Sequence, residues 1–178
     1  MKLNLTEETL KIMKIMKISE EVSAKKLIYS LPKEMKDRFF GLWNVPQNPN
    51  FHPEGNTLKH VVTVLKRAIA KYPDNINIII AALFHDVGKD ETLGYNEKTG
   101  QPTAYGHENV SAGLVREYSD WIRSVGADPE VVYFIVSNHM RAHKFNDMRQ
   151  HKQDTLKSHP NFNDLMSFET IDKSGVYI

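Results

Sequence analysis

Ile76-Asn77-Ile78-Ile79-Ile80-Ala81-Ala82-Leu83-Phe84-His85-Asp86 decides the fold, because a run that is apolar but for Asn77 ends abruptly in an imidazole and a carboxylate. A segment apolar nearly all round is buried on every side. It therefore reads as the central helix of an all-α domain, with Asn75 as its cap and Gly88 as the residue that ends it. An unpaired buried carboxylate costs several kcal/mol, and an Asp in the last turn also meets the negative end of the helix dipole, an opposed effect of about 0.3–1 kcal/mol. A metal ion removes both penalties. As a bare dipeptide His-Asp is weak evidence, so the specificity must come from its surroundings.

The composition narrows the classes. With 178 residues, 40% hydrophobic and 25% charged, the chain has the size of one globular domain with an ample core. No stretch reaches the roughly 18 apolar residues of a membrane span, and Lys11, Lys14 and Lys17 interrupt any signal-peptide block, so a soluble, cytoplasmic protein is expected. The absence of Cys excludes thiolate zinc sites and cysteine nucleophiles, so any metal must use His, Asp or Glu. With 23 Lys and Arg against 22 Asp and Glu, the charge of +1 argues against wrapping nucleic acid by bulk electrostatics.

Working outward, the opening forty residues read as two amphipathic helices broken near Lys17 to Glu20, with the Ile and Met stripe at 12–18 as ordinary helix packing. Residues 44–56 hold three Pro and form an irregular loop that carries His52 and Glu54. Thr57 caps a helix whose apolar stripe, Leu58, Val61, Val62, Leu65, Ile69 and Tyr72, leaves His60 at its rim. Residues 91–106, with Gly94, Gly100 and Gly106, suggest a loop or small hairpin over the site. A helix from His107 to Val125 turns His107 inward. Asp128-Pro129 opens another, on which Val132, Ile135, Val136 and His139 share one face. A polar connection leads to a last helix with Phe162, Leu165, Glu169 and Asp172 on one face, while His143, His151 and His159 are expected at the surface. The expectation is a compact single-domain bundle of about six to eight helices, residues 1–42 packing as helices on a 43–178 core.

The inward or helix-end polar residues His60, His85, Asp86, His107, His139 and Asp172 come from five helices, the pattern by which helical cores assemble metal sites. Imidazole with carboxylate suits one or two divalent ions, with Mn, Ni, Co, Fe, Mg and Zn all compatible.

In this order the residues resemble the HD superfamily of metal-dependent phosphohydrolases. Phe-His-Pro-Glu-Gly (51–55), Leu-Phe-His-Asp-Val-Gly-Lys (83–89), Gly-His-Glu (106–108) and Asn-His-Met-Arg (138–141) are similar to the HD domain of certain bacterial CCA-adding tRNA nucleotidyltransferases. The resemblance covers about residues 43–175, and no nucleotidyltransferase head is expected within these 178 residues. It implies that His60, His85, Asp86 and Asp172 form a first metal site and that His107 and His139 extend it to two ions bridged by Asp86. Asn138 departs from the pattern, standing where many relatives have a further His. The position of Asp172 is counted through a variable stretch, with Asp164 and Asp154 as its fallbacks. The implied reactions are hydrolysis of 2′,3′-cyclic phosphodiesters and of phosphomonoesters, on nucleotides, RNA ends or other phosphorylated small molecules.

A divalent ion lowers the pKa of water toward about 7 and offsets phosphoryl charge. Asp86 is a possible proton acceptor, Lys89 and Arg141 are candidates for gripping phosphate oxygens, and His52 and Glu54 for completing the substrate wall. A 5′-deoxynucleotidase of the same fold, a di-iron HD oxygenase and a non-catalytic RNA- or partner-binding module remain alternatives.

Overall fold

The computed structural model describes residues 20–50 and 52–173. The elements run α1 (the described part, 20–30), α2 (Lys33–Gly41), a 3-10 turn at Leu42–Asn44, α3 (Thr57–Lys71), α4 (Ile76–Phe84) and α5 (Lys89–Thr92). They continue with strands β1 (Gly94–Tyr95) and β2 (Pro102–Thr103), then α6 (His107–Glu117), α7 (Ser119–Ser124), α8 (Pro129–His143), a second 3-10 turn at Phe145–Asp147, α9 (Gln150–Lys157) and α10 (Phe162–Lys173). The domain is all-α apart from this antiparallel hairpin, in which Gly94 faces Thr103 and Tyr95 faces Pro102.

The central helix is α4, capped as expected by Asn75, whose Oδ1 accepts from the Ile78 amide at 3.2 Å. Every residue from Ile78 to Phe84 is buried, and α4 is enclosed by α3, α6, α8 and α10. The chain turns at residues 85–88, so His85 and Asp86 project from the end of the most buried element.

Gly88 is required for a different reason from helix termination. Its φ of −76° is open to any residue, but an added Cβ would lie 2.6 Å from the His107 carbonyl oxygen and 2.7 Å from the Val110 Cβ. The glycine lets α6 pack directly onto the turn that follows His85-Asp86.

Helical segments are more numerous among the described residues than the sequence suggests. The expected His107–Val125 helix breaks at Tyr118 into α6 and α7, and α9 forms inside the connection read as polar. The expected break at Lys17–Glu20 and the stripe at 12–18 lie largely outside the described residues; the break observed is at Leu31-Pro32. The cap of α3 is Asn56, one residue before Thr57; its Oδ1 accepts from the Lys59 amide, while Thr57 is buried and donates its hydroxyl to the Val45 carbonyl. That bond, with the Gln47 amide donating to the Gly55 carbonyl, closes the neck of the 45–57 loop and swings His52 and Glu54 toward the head of α3.

Candidate metal centre

His60, on α3, is 2% exposed. This corrects the periodicity reading that left it at the rim. His85 and Asp86 leave the end of α4, His107 opens α6, His139 lies on α8, and Asp172 closes α10; all five are buried. The structure therefore brings together all six residues expected to ligate metal.

Their orientation is set from behind. His85 Nδ1 donates to the Ala82 carbonyl at 3.0 Å, His107 Nδ1 to the Ala104 carbonyl at 2.7 Å, and His139 Nδ1 to the Val136 carbonyl at 2.7 Å. His60 Nδ1 meets Glu54 Oε1 at 2.7 Å. These acceptors take up the Nδ1 hydrogen, so in the neutral ring each Nε2 presents a bare lone pair. All four Nε2 atoms converge: His60 and His85 at 3.3 Å, His107 and His139 at 3.1 Å. Lone pairs facing each other at that distance repel unless a cation lies between them.

The carboxylates divide the centre in two. Asp86 Oδ2 faces His85 Nε2 at 3.4 Å and His60 Nε2 at 3.6 Å, while Oδ1 faces His107 Nε2 at 3.1 Å and His139 Nε2 at 3.8 Å. Asp172 Oδ1 completes the first half, 3.0 Å from His60 and 3.6 Å from His85. Ligands about 2.1 Å from an ion are separated by roughly 3.0 Å along an octahedral edge and 3.4 Å along a tetrahedral one. The spacings of 3.0, 3.1 and 3.4 Å fall within those edges, and those of 3.6 and 3.8 Å lie slightly beyond them. Two groups of side chains that share Asp86 could each hold a metal ion: the donor atoms of His60, His85 and Asp86 lie within 4.8 Å of one another, as do those of Asp86, His107 and His139.

The electrostatics fit a cation-binding site. Burial pushes the Asp86 carboxyl up, but His85 and Lys89 outweigh it and hold it well below the usual range. Asp172 behaves likewise through His85, His143 and His60. Burial drives His139 down to about 3, leaving it neutral. His60 is also pushed down by burial, yet its bonds to Asp172 and Glu54 prevail and raise it to about 9. The His60 half thus holds a proton where an ion would sit.

The remaining expected residues separate. Lys89 Nζ lies 2.7 Å from Asp86 Oδ2 and 2.7 Å from Gln47 Oε1, and it lines a cleft of about 300 Å³ together with His52 and His107. Glu54 does not line that cleft; its carboxylate buttresses His60, which requires an acceptor at Nδ1, and burial opposed by that bond leaves it at about 2. Arg141 is exposed, with its guanidinium on Asn138 Oδ1 at 2.8 Å, and is not brought to the cluster. On α8 it lies about 200° around from His139, on the opposite face. Asp154 is exposed against Gln150, and Asp164 accepts from Asn75, so neither fallback approaches the centre.

Sequence reasoning missed two residues. His143, expected at the surface, is half-buried and places Nε2 2.8 Å from Asp172 Oδ2. Its signal was present, since it lies four residues after His139 on the same helical face. Gln47, 7% exposed, carried no signal.

The HD domain family model matches residues 57–160, more than half of the chain. The chain belongs to the HD domain family. The match takes in His60, His85, Asp86, His107 and His139 and ends before Asp172. This HD domain is also similar to proteins named Multifunctional CCA protein. That of Thioalkalivibrio sulfidiphilus (strain HL-EbGR7) is 34% identical over 113 residues, 64% of this chain and 26% of the relative. That of Azoarcus sp. (strain BH72) is 39% identical over 88 residues, 49% of this chain and 19% of the relative. That of Actinobacillus pleuropneumoniae serotype 5b (strain L20) is 33% identical over 116 residues, 64% and 26%. The chain spans about a quarter or less of the length of these relatives. Among the described residues no helix is long and apolar enough to cross a membrane.

Proposed function

We propose that this HD domain is a metal-dependent phosphohydrolase acting on nucleotide or RNA-terminal phosphoesters, as a 2′,3′-cyclic phosphodiesterase, a phosphomonoesterase or both. The observation that carries the reading is the convergence of four imidazole Nε2 atoms on the two oxygens of one buried carboxylate. The relatives' name, Multifunctional CCA protein, supports a substrate at the ends of RNA or among its nucleotides.

His60, His85, Asp86 and Asp172 would hold one ion and Asp86, His107 and His139 the other. A bound divalent ion supplies a water acidified toward pKa about 7 and neutralises charge on the phosphoryl oxygens. Asp86 would help to hold both ions and would not act as base, because a carboxyl held well below its ordinary range accepts protons poorly and both its oxygens face imidazoles. Lys89 has three N–H donors; two are committed to Asp86 and Gln47, and the third is available to a phosphoryl oxygen in the cleft. His52, which burial and Lys89 push down to about 4, is a neutral wall of that cleft.

Elemental analysis and hydrolase assays on wild type and Asp86→Ala test the reading. We expect one to two divalent ions per wild-type chain, release of phosphate or opening of the cyclic ester, and a loss of about 100-fold or more in kcat/KM with loss of metal in the variant. Metal content and activity both intact in Asp86→Ala would overturn it. Oxygen consumption by iron-loaded protein without ester hydrolysis would replace it.

A further inference from the structure

We infer that Arg38 is a positioning residue for Lys89: its guanidinium, reaching from α2, holds in place the one-turn helix α5 that presents the lysine to the cleft. This inference rests on the hydrolase reading for the task of Lys89 and adds what keeps the lysine where that task is done.

The need for an anchor comes from α5 itself. It has four residues, Lys89–Thr92, and none of them is buried. A single turn does not sustain itself in water, because nucleating a helix fixes several dihedrals for one hydrogen bond. With no side chain of its own in the core, α5 is not held by apolar packing either. Yet of the residues lining the cleft Lys89 is the one Lys or Arg, and its Nζ sits 2.7 Å from Asp86 Oδ2 and 2.7 Å from Gln47 Oε1. An ammonium on a flexible four-carbon stem is only as well placed as the backbone beneath it.

Polar anchors supply what packing does not. At the start of the turn the Gly88 amide donates to Ser111 Oγ at 2.9 Å, which ties it to α6. Along its length Arg38 Nη1 donates to Asp90 Oδ1 at 3.2 Å and Nη2 donates to Glu91 Oε1, so one guanidinium spans the two residues that follow Lys89. Asp90 Oδ1 also accepts from the Glu91 amide at 2.8 Å, and the Thr92 hydroxyl donates to the Gly88 carbonyl at 3.0 Å. The grip on the carboxylates is thereby passed to the backbone of the turn. Arg38 stands on a fixed base, since Met35 and Phe39 beside it on α2 are fully buried. A planar fork engaging two carboxylates also holds its geometry better than a lone exposed ion pair.

Charge gives Arg38 a second effect on the same lysine. Asp90 and Glu91 place two carboxylates one and two positions after the cation that meets an anionic substrate, and Arg38 offsets them. Arg38 lies outside residues 57–160, which the family model matches. The helix α2, expected from the sequence only to pack on the core, becomes a working part of the site.

Steady-state kinetics on any accepted phosphoester compare wild type, Arg38→Ala, Arg38→Lys, Lys89→Ala and the double variant Arg38→Ala/Lys89→Ala. Lys33→Ala, which removes an exposed ion pair to Asp37 on the same helix, is the control and should leave the kinetics unchanged. Arg38→Ala should raise KM about 5- to 10-fold with kcat changed by less than about twofold, because the hold on the phosphoryl group is loosened alike in the ground and transition states. Arg38→Lys keeps the charge and loses the fork, so it should recover part of that loss; it also carries the comparison if Arg38→Ala does not fold. In the Lys89→Ala background the Arg38 substitution should add less than about twofold, since two residues acting through one ammonium are not additive. Metal content of Arg38→Ala should match wild type. An unchanged KM, a fully additive loss in the double variant, or a loss that tracks falling metal content would overturn the inference while the hydrolase reading stands. If wild type cleaves no ester, the hydrolase reading fails, and calorimetric binding of inorganic phosphate to metal-loaded protein decides the inference. Binding weakened by Arg38→Ala only where Lys89 is present supports it; binding that is absent, or indifferent to Arg38, overturns it.

Discussion

Replacing Gly88 by Ala should separate the two halves of the metal centre. The φ of −76° is acceptable to alanine, so the backbone does not resist the change. The new methyl group would lie 2.6 Å from the His107 carbonyl oxygen, 2.7 Å from Val110 Cβ and 2.8 Å from the Ser111 amide nitrogen. Carbon contacts relax at about 3.5–4.0 Å, so α6 must retreat by roughly 1 Å. These neighbours are backbone and a β-carbon, which cannot rotate away. Overpacking of this kind costs about 1–3 kcal/mol, and at about 2–4 °C per kcal/mol for a chain this size the midpoint should fall by about 2–12 °C. His107 is the first residue of α6, so its Nε2, now 3.1 Å from Asp86 Oδ1, moves with the helix. Scanning calorimetry of metal-free protein and titration with Mn or Ni should show a lower midpoint and selective weakening of the His107–His139 ion site. Gly113→Ala is the control: its Cβ meets nothing within 4 Å, and removing a mid-helix glycine should stabilise by about 0.5–1 kcal/mol. A Gly88→Ala protein with an unchanged midpoint and two unchanged ion sites would refute the argument that this close approach positions His107.

Other predictions follow from the charge and hydrogen bonding of the centre. Metal at the His60 half competes with the proton that holds this imidazole up to about 9, so its apparent affinity should rise about tenfold per pH unit from 7 toward 9 and then level. His139, already neutral above about 3, adds no such slope. In metal-free protein the sign reverses: the raised His60 value contributes stability that is fully present below about 6.5 and lost as pH rises through 9. Calorimetric titration and thermal melts across pH 6–9 check both trends, and a flat affinity profile would count against the assignment of His60. His143→Ala should weaken metal binding about 10- to 100-fold, because Asp172 Oδ2 loses its donor; His143→Gln, which can restore an N–H there, should recover part of it. Equal losses in both variants would mean that His143 acts through packing alone. Arg141→Ala should change kcat/KM by less than about twofold, against a much larger loss in Lys89→Ala, as steady-state kinetics on any accepted ester would show.

What could be read from the sequence, and what could not, follows from how each side chain is fixed. The apolar run of α4 and the Asp128-Pro129 start of α8 are local signals, and both appear where the sequence puts them, with Asp128 accepting from the Glu130 amide at 2.9 Å. His107 and His139 were legible because each shares a helical face with apolar neighbours. His60 was illegible by the same method because the larger apolar residues of α3 do not mark the centre of its buried face. Its buried residues form two adjacent rows, His60, Val64 and Ala68 beside Val61 and Leu65, while Leu58, Val62 and Ile69 are only partly buried at the edge of the same core. A periodicity dominated by the larger residues points toward that edge and away from His60.

The contacts that hold the centre in place lie at a further remove. Glu54 on His60 and Gln47 on Lys89 join a loop to elements 6 and 42 residues away, and no spacing rule announces either pair. Both arise because residues 45–57 are pinned at the neck, where the Thr57 amide and hydroxyl share the Val45 carbonyl at 2.9 and 3.1 Å. The neck fixes where the loop returns, and the loop then delivers an acceptor to His60 Nδ1 and another to Lys89 Nζ. A helical core can bring four imidazoles together through apolar packing alone. Aiming all four Nε2 atoms at one carboxylate takes an acceptor behind every ring, and for His60 that acceptor comes from the loop, which makes residues 45–57 part of the metal centre as much as the helices that carry its ligands.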